Sequence, residues 1–171
     1  MIQTYLIFIH FYFPRNAAIL QSNGDFFCGG TLISEKEVLT VAHCIRDKHS
    51  TTSRRPEDLI VHLGYHNLSK KFESGRVSFH VKSIRVHPDW NTETDSYDAN
   101  IAILELDDEV EFGKYIQPIC LIDPNSEIAS STNGAIVGFD YSRELGTLRE
   151  FLTRRLSALR NVLKTKVFFT S

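Results

Sequence analysis

The sequence predicts an all-β protein, a barrel or a sandwich, on three observations. Short apolar runs recur between turn signals, the turn chemistry between them suits hairpins, and the composition is that of one ordinary globular domain. The runs fall at residues 17–21, 26–33, 38–41, 59–64, 76–86, 101–106 and 135–139. Ser22-Asn23-Gly24-Asp25 joins the first two as a hairpin turn, since Asn and Gly tolerate the positive φ that tight turns need. The polar stretch 47–58 reads as an exposed loop. With 171 residues, 42% hydrophobic and 23% charged, the chain can bury a sizeable core and lacks the signature of disorder. A net charge of −2 leaves no basic footprint for nucleic acid. No internal repeat or low-complexity segment is present.

The two ends read differently from the middle. Residues 1–13 carry an apolar run that is short for a membrane span, has no basic residue before it and meets Pro14-Arg15-Asn16 in place of a small-residue cleavage site. A secretory leader, a buried strand and a mis-assigned start all fit it. From 142 to 166 the leucines Leu145, Leu148, Leu152, Leu156, Leu159 and Leu163 recur every three or four positions among seven basic residues. That spacing predicts a basic amphipathic helix, expected to cap the barrel as a surface helix in preference to lying on a membrane.

Three cysteines are too few for a disulfide-dense scaffold. Cys28 and Cys44 stand at the two ends of a compact strand-turn-strand unit, where a bridge is sterically reasonable and two buried free thiols are the other reading. A bridge closing such a loop contributes roughly 3 kcal/mol on chain-entropy grounds and favours an oxidising compartment. Cys120 is then left over, as a free thiol or as half of a bond to another chain.

Of seven histidines, His43 differs by context. It follows an apolar run and precedes Cys44, so its position is pre-set. An imidazole can serve as a general base near neutral pH, but only if another group fixes its tautomer and a third supplies the nucleophile.

Here a family resemblance enters. The run Cys28-Gly29-Gly30-Thr31-Leu32-Ile33, ending in Val41-Ala42-His43-Cys44, resembles the histidine segment of the trypsin- and chymotrypsin-like serine proteases. The resemblance continues in order through Val61-His62-Leu63-Gly64, Ser83-Ile84-Arg85-Val86-His87-Pro88-Asp89-Trp90, Asn100-Ile101-Ala102-Ile103-Leu104-Glu105-Leu106 and Tyr115-Ile116-Gln117-Pro118-Ile119-Cys120-Leu121. It covers residues 14–139 and has the flavour of secreted invertebrate defence proteases of the clip type. It implies the first six-stranded barrel of a two-barrel fold, with 1–13 as a leader or remnant and 140–171 as a non-family tail. It also implies an extracellular protein that acts on protein or peptide substrates, with no cofactor.

The resemblance makes His43 the general base, taking the proton of a serine hydroxyl as that oxygen attacks a peptide carbonyl and returning it to the leaving amine. In the family an aspartate directly precedes the apolar strand and orients the imidazole; that place is held by Asn100. Asp98 stands two positions early, displaced by about 7 Å in an extended segment. An amide can donate its NH2 to the ring and favour the wrong tautomer, and within this family the exchange of Asp for Asn costs about 10⁴ in kcat. The Gly-Asp-Ser-Gly-Gly-Pro element that presents the serine and the oxyanion hole does not occur in the 171 residues, nor does an Ile-Val-Gly-Gly terminus. Ser142, Ser157 and Ser171 lie in no such context.

Three expectations follow. The chain is the N-terminal half of a secreted serine endopeptidase, truncated and inactive as given; or a non-catalytic homologue that binds and regulates, with a protease as partner; or a translated fragment without a stable fold. In the resembling proteases the cysteine in the place of Cys120 joins the catalytic chain to its activation peptide or light chain. Asn67-Leu68-Ser69 is an N-glycosylation sequon in an expected loop. Some members bind calcium through that loop, but Tyr65 stands after Gly64 where a glutamate ligand is expected, so no calcium is expected. Zinc is not expected either, because His43-Cys44 has no second pair at zinc spacing.

Overall fold

The computed structural model describes residues 7–8, 15–50, 52–65, 75–121, 135–142 and 147–152. Within them the chain runs β1 (Ile7–Phe8), β2 (Asn16–Gln21), β3 (Phe26–Leu32), β4 (Glu37–Thr40), a helical turn α1 (Ala42–Ile45), a 3-10 turn at Pro56–Asp58, β5 (Leu59–Leu63), β6 (Val77–Val86), β7 (Ala102–Leu106), β8 (Ala135–Ser142) and β9 (Thr147–Leu152). Strands β2-β3-β4-β7-β6-β5 close into a barrel, every neighbouring pair antiparallel, with β5 returning to β2. This is the six-stranded all-β barrel that the resemblance implied.

Period-2 patterning decides which side chains fill it. Leu59, Val61 and Leu63 of β5 are buried while Ile60 and His62 between them are partly exposed, because successive residues of a strand face opposite sides. Ile19, Leu32, Val38, Leu104 and Leu106 complete the apolar interior. At roughly 1.5–3 kcal/mol for each large apolar side chain withdrawn from water, this cluster is the main force holding the ring shut. β-bulges at Ile19/Leu20 and Val81/Ser83 bend the strands where the ring must turn.

Two straps tie the outside. The segment 107–121 crosses the barrel, with the Val110 N–H donating to Glu35 O at 2.8 Å and the Ile119 N–H to Leu32 O at 2.8 Å. The turn after β5 meets the start of β6 where Gly64 (φ 72°) and Gly75 (φ 86°) approach closely; a Cβ on Gly64 would lie 2.2 Å from Gly75 O. No other residue fits both the positive φ and the space.

A second sheet has the order β1-β8-β9. β8 pairs with β9 antiparallel, Phe139 opposite Glu150 and Ser142 opposite Thr147, and Ile7 stands opposite Ile136. This corrects the helix expected over 142–166: across Thr147–Leu152 the backbone is a strand. Spacing of leucines is a local signal, whereas β8 offers a row of backbone partners, and pairing of this kind overrides a helical period. The remainder of that expected helix, from 153 onward, lies outside the described residues, as does the Asn67 sequon.

Candidate active site

The site is built where β4 ends. Its last residue, Thr40, pairs with Ala102 at the start of β7, so the two chains that leave this seam, Val41-Ala42-His43 and Asn100-Ile101, emerge side by side. The backbone then folds into α1, which carries His43 and Cys44. Cys44 is bonded to Cys28 of β3 with their Cα atoms 6.4 Å apart, inside the range a disulfide spans. The Arg46 N–H donates to Ala42 O at 2.8 Å and Arg54 Nε–H to Cys44 O at 3.2 Å, which satisfies carbonyls that so short a helix leaves open.

On the other side, Ala99 adopts φ 55°, a left-handed conformation that a Cβ-bearing residue enters at a cost of about 1 kcal/mol. The Ile101 N–H closes the kink onto Ala99 O at 2.7 Å. The kink turns Asn100 toward the imidazole while Asp98 stays outside, exposed and accepting from Ser96 Oγ at 2.6 Å.

The Asn100 amide makes two contacts. Its Oδ1 accepts the His43 backbone N–H at 2.9 Å, and its Nδ2 lies 2.9 Å from His43 Nδ1, nearer than Oδ1 at 3.3 Å. A backbone N–H can only donate, so the oxygen must face it and the NH2 must face the ring. His43 Nδ1 is then an acceptor, and the neutral ring carries its proton on Nε2. Burial holds the proton affinity of His43 below the ordinary histidine value. The field of Asp47 opposes this and the field of Lys48 reinforces it, while an amide NH2 donating to Nδ1 favours the neutral ring. Asn100 brings no carboxylate charge to stabilise an imidazolium.

The sequence reading missed the wall beside the ring. Tyr97, 47% exposed, meets His43 edge-on, with centroids 6.0 Å apart at 89°. Trp90 is buried behind it, its Nε1–H donating to Arg46 O at 3.1 Å. A tyrosine two residues before an alanine-asparagine pair carries no signal that would have marked it. Away from the site, Cys120 is a free, exposed cysteine. His62 and Tyr65 stack at 4.3 Å with the Arg76 guanidinium over the tyrosine ring. Burial, with the Arg76 charge second, lowers His62 to about 4. Among the described residues no group of three or more His, Cys, Asp or Glu is placed to hold a metal ion.

Comparison with known proteins gives a consistent picture. A family model described as Trypsin matches residues 11–164. The chain is 37% identical over 150 residues to Serine protease gd of Drosophila melanogaster, covering 84% of this chain and 28% of that protein. It is 31% identical over 135 residues to human Granzyme M, covering 79% and 48%, and 30% identical over 129 residues to Ovochymase of Halocynthia roretzi, covering 74% and 8%. The chain therefore spans under half the length of these curated relatives.

Proposed function

The chain belongs to the trypsin family of serine proteases, and from that premise we propose that it is the histidine-bearing barrel of an extracellular serine endopeptidase-type protein, acting in proteolysis on protein substrates. We propose further that these 171 residues do not themselves hydrolyse peptides. One observation carries this: the Asn100 amide donates to His43 Nδ1, so the proton sits on Nε2, where a general base needs its lone pair to take the proton of an attacking serine. Acyl transfer also needs a nucleophile beside the base and donors aimed at the developing oxyanion, and the Gly-Asp-Ser-Gly element that would supply both is absent from this sequence. The disulfide beside His43 supports the extracellular assignment, since such bonds persist in oxidising compartments.

Asn100 also favours a second reading, in which the chain is a non-catalytic homologue that keeps the family's surface and works by binding a polypeptide or an active protease. Both readings expect an inactive chain, and a binding measurement separates them. The purified chain should give no labelling by a fluorophosphonate probe and no hydrolysis of arginine, lysine or aromatic peptide esters above background. Cleavage that disappears in His43→Ala would overturn the inactive reading. Heat released on titrating the chain into an active trypsin-type protease, with no change in that protease's own active-site labelling, would select the binding reading over the first.

A further inference from the structure

The segment leaving α1 meets the loop between β6 and β7, and one lysine joins them beside Tyr97. Lys48 Nζ donates to Thr94 O at 2.7 Å and to Ser96 O at 2.6 Å. The same ammonium lies 4.1 Å from the centroid of the Tyr97 ring and 5.7 Å from that of Trp90. Two carbonyls and an aromatic face use the three N–H directions an ammonium has. The Tyr97 ring also meets His43 edge-on. Other links between the two segments fall earlier in the loop: His49 N–H to Thr92 O at 2.9 Å, and the His49 ring 3.6 Å from Asp95. Lys48 thus reaches the stretch Ser96-Tyr97 from the segment that carries His43.

We propose that Lys48 is a positioning residue: its ammonium acts as a tethered cation that folds the 94–97 segment back on itself and holds the Tyr97 ring against His43. A free lysine stem would gain little by such a contact, because an exposed ammonium is strongly hydrated. Here two backbone carbonyls replace water, and charge-assisted bonds of this kind are roughly twice as strong as neutral ones. Lys48 is thereby withdrawn from meeting a bound acidic group, and its charge is spent on loop shape and on the field at His43. Asp47 is the other charged group whose field reaches that ring. The proposal rests on the proteolytic reading only for what the site is used for; the latch itself is a property of the folded chain.

The experiment is NMR on the full 171-residue chain with ¹⁵N-labelled lysine and histidine. In the parent, the Lys48 NH3⁺ should give a slowly exchanging resonance, displaced upfield by the Tyr97 ring; a Lys48 signal indistinguishable from the other lysines overturns the proposal without any mutation. In Lys48→Met, the ring-current shift of the His43 protons should vanish. The amides of His49 and Asp98 should exchange about tenfold faster, and the His43 titration midpoint should rise because a cation has left. Amides of Val61 and Leu104 in the barrel serve as the control for folding. Lys48→Arg keeps the charge and two donors, so it should return the His43 shift and midpoint toward the parent; Arg behaving like Met overturns the proposal. None of these readouts depends on hydrolysis, so a failed latch and a failed functional reading are told apart.

Discussion

Replacing Asn100 by aspartate tests the reasoning about the site most directly. In the parent, Nδ2 lies 2.9 Å from His43 Nδ1 and Oδ1 accepts the His43 backbone N–H. Aspartate keeps the second contact and replaces the NH2 by a carboxylate oxygen, so Nδ1 must become the donor and the neutral ring must move its proton from Nε2 to Nδ1. The charged ring gains as well. A carboxylate about 4 Å from an imidazolium is worth about 4 kcal/mol at an effective dielectric of about 20. His43 is only half-buried, so solvent screening and the cost of desolvating the new carboxylate reduce this to about 1.5–3 kcal/mol. Proton affinity should therefore rise by about ten- to a hundredfold. Long-range ¹⁵N–¹H correlation spectra separate a protonated from an unprotonated ring nitrogen, and titration of the same signals gives the midpoint. Nδ1–H in the parent, or a midpoint in Asn100→Asp within about threefold of the parent in proton affinity, would refute the account. The variant should remain without esterase activity, because a corrected tautomer supplies no nucleophile.

Two further outcomes concern stability. His62 is lowered to about 4 from the ordinary 6.5, so the folded chain binds its proton less readily than the unfolded chain does; its contribution is complete above about pH 6.5, is lost as pH falls toward 4 and levels off below. The full linkage is about 3 kcal/mol, reduced to about 1–2 kcal/mol by partial exposure, and urea unfolding at pH 7 and pH 4 should show that loss in the parent and a flatter profile in His62→Gln. Gly64→Ala places a Cβ 2.2 Å from Gly75 O at φ 72°, so denaturant unfolding should show a loss of at least about 2 kcal/mol; a loss under about 1 kcal/mol would mean that the turn relaxes freely.

Much of the barrel was legible because its evidence is local. The alternation in Leu59-Ile60-Val61-His62-Leu63 and the Ser22-Asn23-Gly24-Asp25 turn each specify their own geometry, and the expected strands agree with β2 to β8 within about three residues at either end. The place of Asn100 beside His43 was legible only through the family resemblance, in which the residue directly before this apolar strand faces the imidazole. What escaped the sequence depends on partners far along the chain. β9 reads as helix because its leucine spacing continues into residues with the same period, and only pairing with β8 makes it a strand. Tyr97 and Lys48 are ordinary surface residues until the fold brings segments 49 positions apart into contact. Ala99 gives no hint of its left-handed backbone, which a glycine there would have announced.

The seam between β4 and β7 makes the chemistry of His43 a property of a distant part of the chain. His43 and Asn100 are 57 positions apart, and the pairing of Thr40 with Ala102 brings them to the same end of the barrel. Bringing such remote residues together carries an entropic cost that the few contacts at the site cannot offset, and the buried leucines and valines of the closed ring can. A peptide excised over residues 28–44 would keep the histidine, its neighbouring cysteines and the most recognisable motif in the chain, yet its imidazole would titrate and tautomerise as it does in any open peptide. The motif identifies the ring, but the whole circuit of strands decides on which nitrogen it carries its proton.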